Sequence, residues 1–122
     1  MNDVTVNVPG ITWRKITDQI CTAIEGGADH WLESFQPRPE DKARTTERPW
    51  YADEKVWSED FSIRCKVENN VRIFDREAVN RGLQWLAANH LWRLEEIVKE
   101  TGDAETADVF LQACVLGDIV YG

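Results

Sequence analysis

The chain has 122 residues, 43% of them hydrophobic and 30% charged, with a formal net charge of −8. This composition fits one ordinary globular domain spanning 1–122. It is too acidic to bind duplex nucleic acid through its phosphates, and no apolar run approaches the roughly 18 residues a membrane span needs.

Thr5 to Val8 alternates like a short strand and is closed by Pro9-Gly10. From Thr12 the period changes. Trp13, Ile16, Ile20, Ala23 and Ile24 recur at threes and fours, which predicts a helix ended by Gly26-Gly27. His30 to Phe35 alternates again and predicts a strand. Residues 36–49, QPRPEDKARTTERP, hold three of the four prolines, dense charge and no apolar side chain larger than Ala43. They predict a loop, functional or disordered, leading into the aromatic residues Trp50, Tyr51 and Trp57.

The clearest strand signal runs from Phe61 to Val67, with Phe61, Ile63, Cys65 and Val67 facing one way. Asn69-Asn70 predicts a turn, and Val71 to Ile73 the returning strand. Asp75 is placed to cap a helix whose buried stripe is Val79, Leu83, Leu86 and Ala87. Asn89-His90 is a candidate break before a second helical pattern, Leu91, Leu94, Ile97 and Val98, running to Gly102. Asp103 opens a last helix with Ala107, Phe110, Leu111 and Cys114 inward and Gly117 as its stop. Ile119 to Tyr121 is expected as an added edge strand. The sum predicts an α+β fold: a small, mainly antiparallel sheet packed on one face by three or four helices.

Metal and nucleophile chemistry are not expected. Cys21, Cys65, Cys114, His30 and His90 lack the close pairs from which zinc sites draw ligands, so neither metal nor cofactor is predicted. The cysteines fall on apolar faces, and their odd number suits a reducing compartment. Met1-Asn2-Asp3 carries acid where a secretory leader carries base. Asp29 and His30 adjoin on a predicted strand, which would point them to opposite faces and away from an acid–base pairing. Gly26-Gly27 follows a helix instead of opening one, the wrong order for a phosphate cradle.

Six tryptophans in so short a chain are abnormal, and tryptophan concentrates in recognition pockets. Arg38, Lys42, Arg44 and Arg48 precede Trp50, Tyr51 and Trp57, and of these Arg44 and Arg48 join guanidinium forks to rings that can stack. With Trp31 as a further ring and Gln112 and Asp118 as polar specificity groups, these residues are the expected site for a small nucleotide-like ligand. The simpler alternative is a solvated loop whose tryptophans fold back onto the sheet. A second candidate surface is the acidic run Glu95, Glu96, Glu100, Asp103, Glu105 and Asp108, opposed only by Lys99. It suits a basic protein partner or is simply a solvated helix face.

Three segments carry a resemblance: Cys21-Thr-Ala-Ile-Glu-Gly-Gly27 with Trp31, DREAVNRGLQWLAA from Asp75 to Ala88, and the ending Asp103 to Gln112 with Gly117-Asp-Ile-Val-Tyr-Gly122. Together they resemble a family of small, mostly uncharacterised proteins of tailed bacteriophages. The resemblance implies a protein working in the cytoplasm of an infected bacterial host, where such proteins often inhibit host machinery or immunity. The first expectation is therefore a non-catalytic counter-defence protein that sequesters a nucleotide-derived immune signal. The alternative is an acidic inhibitor of a host nucleic-acid-handling defence complex, of the anti-CRISPR or DNA-mimic kind. A domain this small has little depth for a complete pocket, and a homo-oligomer would supply one at its junctions.

Overall fold

The computed structural model describes residues 9–122, so the strand expected at Thr5 to Val8 lies outside the described residues. Helix α1 (Trp13–Thr22) starts on Thr12, whose hydroxyl accepts from the Lys15 N–H at 3.2 Å. The stripe at threes and fours faces the core, with Ile16 and Ile20 buried. The helix does not stop before the glycines. It widens into one turn over Ala23–Gly27, closed by the Ala28 N–H donating to the Ala23 carbonyl at 2.8 Å.

The strand expected from His30 begins later. Ala28 to Trp31 forms a turn in which the Leu32 N–H reaches the Ala28 carbonyl at 3.0 Å. Sheet pairing starts at Glu33, whose N–H donates to Lys66, and strand β1 is Ser34–Pro37. With β2 (Ser62–Val67) and β3 (Asn70–Asp75) it forms one antiparallel sheet in the order β1-β2-β3. The register sets Phe35 opposite Cys65 and Ile63 opposite Phe74, which gathers the apolar residues on the inner face. The hairpin turn sits one residue earlier than expected. Glu68 and Asn69 take positive φ values of 49° and 66°, the conformation that matches the twist of paired strands.

Short helices α2 (Pro39–Lys42) and α3 (Glu54–Trp57) lie in the connection between β1 and β2. Helix α4 (Arg76–Asn89) begins on Asp75, whose carboxylate accepts from the Ala78 N–H at 2.8 Å. Helix α5 (Leu91–Lys99) follows the break at His90 and ends at Glu100 in the left-handed conformation, short of the Gly102 expected. Helix α6 (Ala104–Leu116) is capped by Asp103 and stopped by Gly117 at φ 76°, a conformation glycine adopts without steric cost.

The result is a small α+β fold centred on α6, in which Thr106 to Val115 are all buried. Helices α1, α4 and α5 and the inner sheet face pack around it. Among the described residues no helix is long and apolar enough to cross a membrane.

Helices α4 and α6 meet at Gly82, where a Cβ would stand 2.4 Å from Cys114 Sγ and 2.8 Å from the Cys114 backbone nitrogen. Gly82→Ala should therefore destabilise the fold by about 1–3 kcal/mol through overpacking. Denaturant unfolding reads this directly, and an unchanged midpoint would mean that the two helices can part freely.

Candidate anion-binding site

The loop at 36–49 is organised around one buried carboxylate. Asp41 is fully buried, and its oxygens accept from Arg38 N at 2.9 Å, Arg38 Nε at 3.0 Å, Arg38 Nη2 at 2.9 Å and Arg44 Nη1 at 3.2 Å. The same two guanidinium groups donate onward to the Asp60 and Val56 carbonyls, which ties α2 to the start of β2 and to α3. Burial by itself would raise the Asp41 pKa. The hydrogen bonds and positive charge of Arg38 outweigh it and hold the carboxyl below the ordinary carboxylate range. A buried carboxylate with this many donors satisfies its lone pairs, which is what makes the burial tolerable.

The expected ligand set is divided by this arrangement. Trp57 is fully buried, donates its indole N–H to the Tyr51 carbonyl at 2.9 Å and packs edge-on against Phe61. It is therefore a core residue and no ligand can reach its face. Tyr51 turns toward the wide turn Ala23–Gly27, where its hydroxyl donates to Glu25 at 3.2 Å. Arg44 is largely committed to Asp41 and Val56, although it still borders a cavity of about 440 Å³ shared with Arg14, Thr46, Asp53 and Lys55.

Arg48 and Trp50 are brought together. With Lys42, Thr45, Thr46 and Glu47 they line an adjoining cavity of about 350 Å³. Trp50 is half-buried, its ring stacked on Phe35 at 6.0 Å and set against Trp57 at 5.7 Å. Lys42 and Arg48 are exposed and have no ion-pair partner among the described residues. The neighbouring Thr45 is anchored by donating to Asp53 at 2.6 Å. Lys42, one of the four basic residues that the sequence places ahead of Trp50, joins this constellation, although the expected ligand set took only Arg44 and Arg48 from among them.

Trp31, Gln112 and Asp118 line neither cavity of this loop. Trp31 is buried and donates its indole N–H to Asp108 Oδ1 at 2.6 Å. Gln112 is fully buried with all its polar capacity used. Its amide donates to Asp108 and to the Tyr121 carbonyl, and its oxygen accepts from the Val120 and Tyr121 N–H groups. This fastening replaces the edge strand expected at Ile119 to Tyr121, and the Tyr121 ring lies parallel to Trp31 at 6.1 Å. Asp118 is exposed and accepts only from the Ile119 N–H.

The second Asp108 oxygen stands 3.3 Å from His30 Nε2. The sequence offered His30 no acid partner, and the turn at Ala28–Trp31 sets its ring beside Asp108 of α6. No local pattern signals a pairing across so long a separation.

The acidic run does not form one face. Asp103 is spent on capping α6, and Asp108 is buried in the network above. Glu96 and the exposed Glu105 both pair with Arg93, which leaves Glu95 and Glu100 as exposed acids without an ion-pair partner among the described residues. Burial, with the Glu25 and Asp18 charges, pushes the Cys21 thiol up to about 11. Burial alone takes Cys65 up to about 12, and it raises Cys114 as well. Thiols this basic are poor nucleophiles.

Compared with protein-family models, with curated proteins and with solved structures, the chain finds no match.

Asp41→Asn should cost about 3 kcal/mol at neutral pH by leaving two arginines without their anion. The folded-state pKa of Asp41 is lowered, so its contribution is present above the unfolded value of about 3.9 and is lost as pH falls through the folded value. The gap between wild type and Asp41→Asn, followed by denaturant unfolding, should stay level near neutrality and narrow in acid. A gap independent of pH would remove the ionised carboxylate from this account.

Proposed function

We propose that the protein is a non-catalytic binding protein that captures a small nucleotide-like anion at the cavity between Lys42, Arg48 and Trp50. One observation carries this reading: two exposed cations without ion-pair partners among the described residues share a cavity with a tryptophan that the aromatic core already holds in place. A guanidinium fork and an ammonium suit phosphate oxygens, and an indole offers a stacking surface for a base. Because Trp50 is braced by Phe35 and Trp57, little side-chain entropy remains to be lost on binding. The adjoining cavity beside Arg14, Arg44 and Lys55 offers room for a second portion of the ligand. The resemblance to small phage proteins supports a specific form of this reading, sequestration of a nucleotide-derived immune signal in an infected bacterial cell.

The test is thermal melting with tryptophan fluorescence against mononucleotides, cyclic nucleotides and ADP-ribose derivatives. A ligand at a hundredfold excess over its Kd adds about 2.7 kcal/mol of apparent stability. In a domain of this size that corresponds to a shift of roughly 10 °C. Arg48→Ala should remove most of the shift without lowering the melting temperature of the free protein, since Arg48 is exposed. A flat panel, or a shift that survives in the Lys42→Ala/Arg48→Ala double variant, would refute the proposed site.

A further inference from the structure

Two surface patches on this chain are complementary to each other. The sheet is covered by helices on its inner face only. Its outer face carries Arg64 directly opposite Ile73 and Lys66 directly opposite Val71. All four side chains are exposed, Val71 to 49% and Ile73 to 44%. The neighbouring outer positions on β1, Ser34 and Gln36, are small or neutral. This face sets two exposed apolar side chains beside two basic ones, on a protein whose overall charge is −8.

The second patch is the corner where α4 passes into α5. Leu91 and Trp92 are each 54% exposed there, and exposed Glu95 lies one turn further along α5. Trp92 is held outward. The Arg93 guanidinium sits 4.0 Å from its ring centroid, and Arg93 is itself fixed by Glu96 and Glu105. Single exposed apolar residues are ordinary. Here, apart from Val120, the strongly exposed large apolar side chains of the described residues fall into just these two patches. One patch carries the bases Arg64 and Lys66, and the other is bordered by the exposed acid Glu95.

We propose that a second copy of this chain is the occupant: the Leu91/Trp92 corner of one molecule docks on the outer sheet face of another. The contact cannot close within one molecule. Helix α4 connects the end of β3 to the corner, and its 14 residues rise about 21 Å. The interface is heterologous, so reciprocal docking closes a dimer and successive docking builds a ring or chain. Apolar centres opposed across it supply affinity, and the opposite rims set orientation. This association is independent of ligand capture, because no residue of either patch lines the Lys42/Arg48/Trp50 cavity.

Sedimentation velocity across a concentration series tests the proposal. Wild type should self-associate with concentration and dissociate progressively as salt screens the rims. Trp92→Ala should weaken association roughly tenfold or more. Arg64→Glu and Glu95→Arg should each sediment as monomers with unchanged melting temperatures, and an equimolar mixture of the two should recover a one-to-one complex. A wild type that stays monomeric throughout would overturn the proposal. So would association that ignores both charge reversals, or a mixture that fails to recover.

Discussion

A helix buried on every side has nowhere to discharge a polar side chain, and α6 is such a helix over Thr106 to Val115. Two of its residues, Asp108 and Gln112, would be costly there if left unpaired. Their hydrogen-bonding demand organises one end of the molecule. Asp108 draws the Trp31 indole inward and sets His30 beside it, while Gln112 takes three backbone groups of the segment after Gly117. That demand explains why the residues before β1 turn instead of extending. It also explains why Ile119 to Tyr121 follows a helix side chain and not a strand edge. The network is fully connected, the condition under which buried polar groups specify a unique arrangement.

A second buried polar centre governs the opposite problem, a long charged stretch at 36–49 with no apolar side chain larger than Ala43 apart from its prolines. Asp41 collects two arginines, and each arginine reaches a carbonyl elsewhere in the chain. The connection is thereby fastened above the aromatic group of Phe35, Trp50, Trp57, Phe61 and Phe74, whose rings meet at tilted and edge-on angles. Aromatic pairs in these orientations stabilise a small core beyond their buried area. Trp31 and Trp57 are thus structural, Trp13, Trp50 and Trp85 are half-buried against neighbouring rings, and Trp92 is exposed.

Charge is used locally throughout. The acidic residues near α5 and α6 cap a helix, hold Arg93 or enter the Asp108 network, so the residual negative surface is narrower than the run of letters implies. Positive charge left over at Lys42 and Arg48, and at Arg64 and Lys66, is what gives the two proposed surfaces their chemistry.

Periodicity, caps and stops are local properties, and they were readable: the α1 stripe, the alternation of β2, the Asp75 and Asp103 caps and the Gly117 stop all depend on residues within a few positions of one another. The α+β class followed from them. The roles of Trp31 and Asp108 were not readable, because the two meet across 77 residues of chain, and for Trp57 the local pattern left ligand stacking and burial both open. A tryptophan in a polar neighbourhood looks the same whether it awaits a ligand or fills a core. Sequence alone determined the longer helices, the pairing of β2 with β3 and the caps at Asp75, Asp103 and Gly117, since backbone hydrogen bonding and short-range sterics settle those. Tertiary structure alone decided which polar and aromatic side chains are consumed inside and which remain on the surface, since burial and long-range hydrogen bonds exist only once distant segments have met.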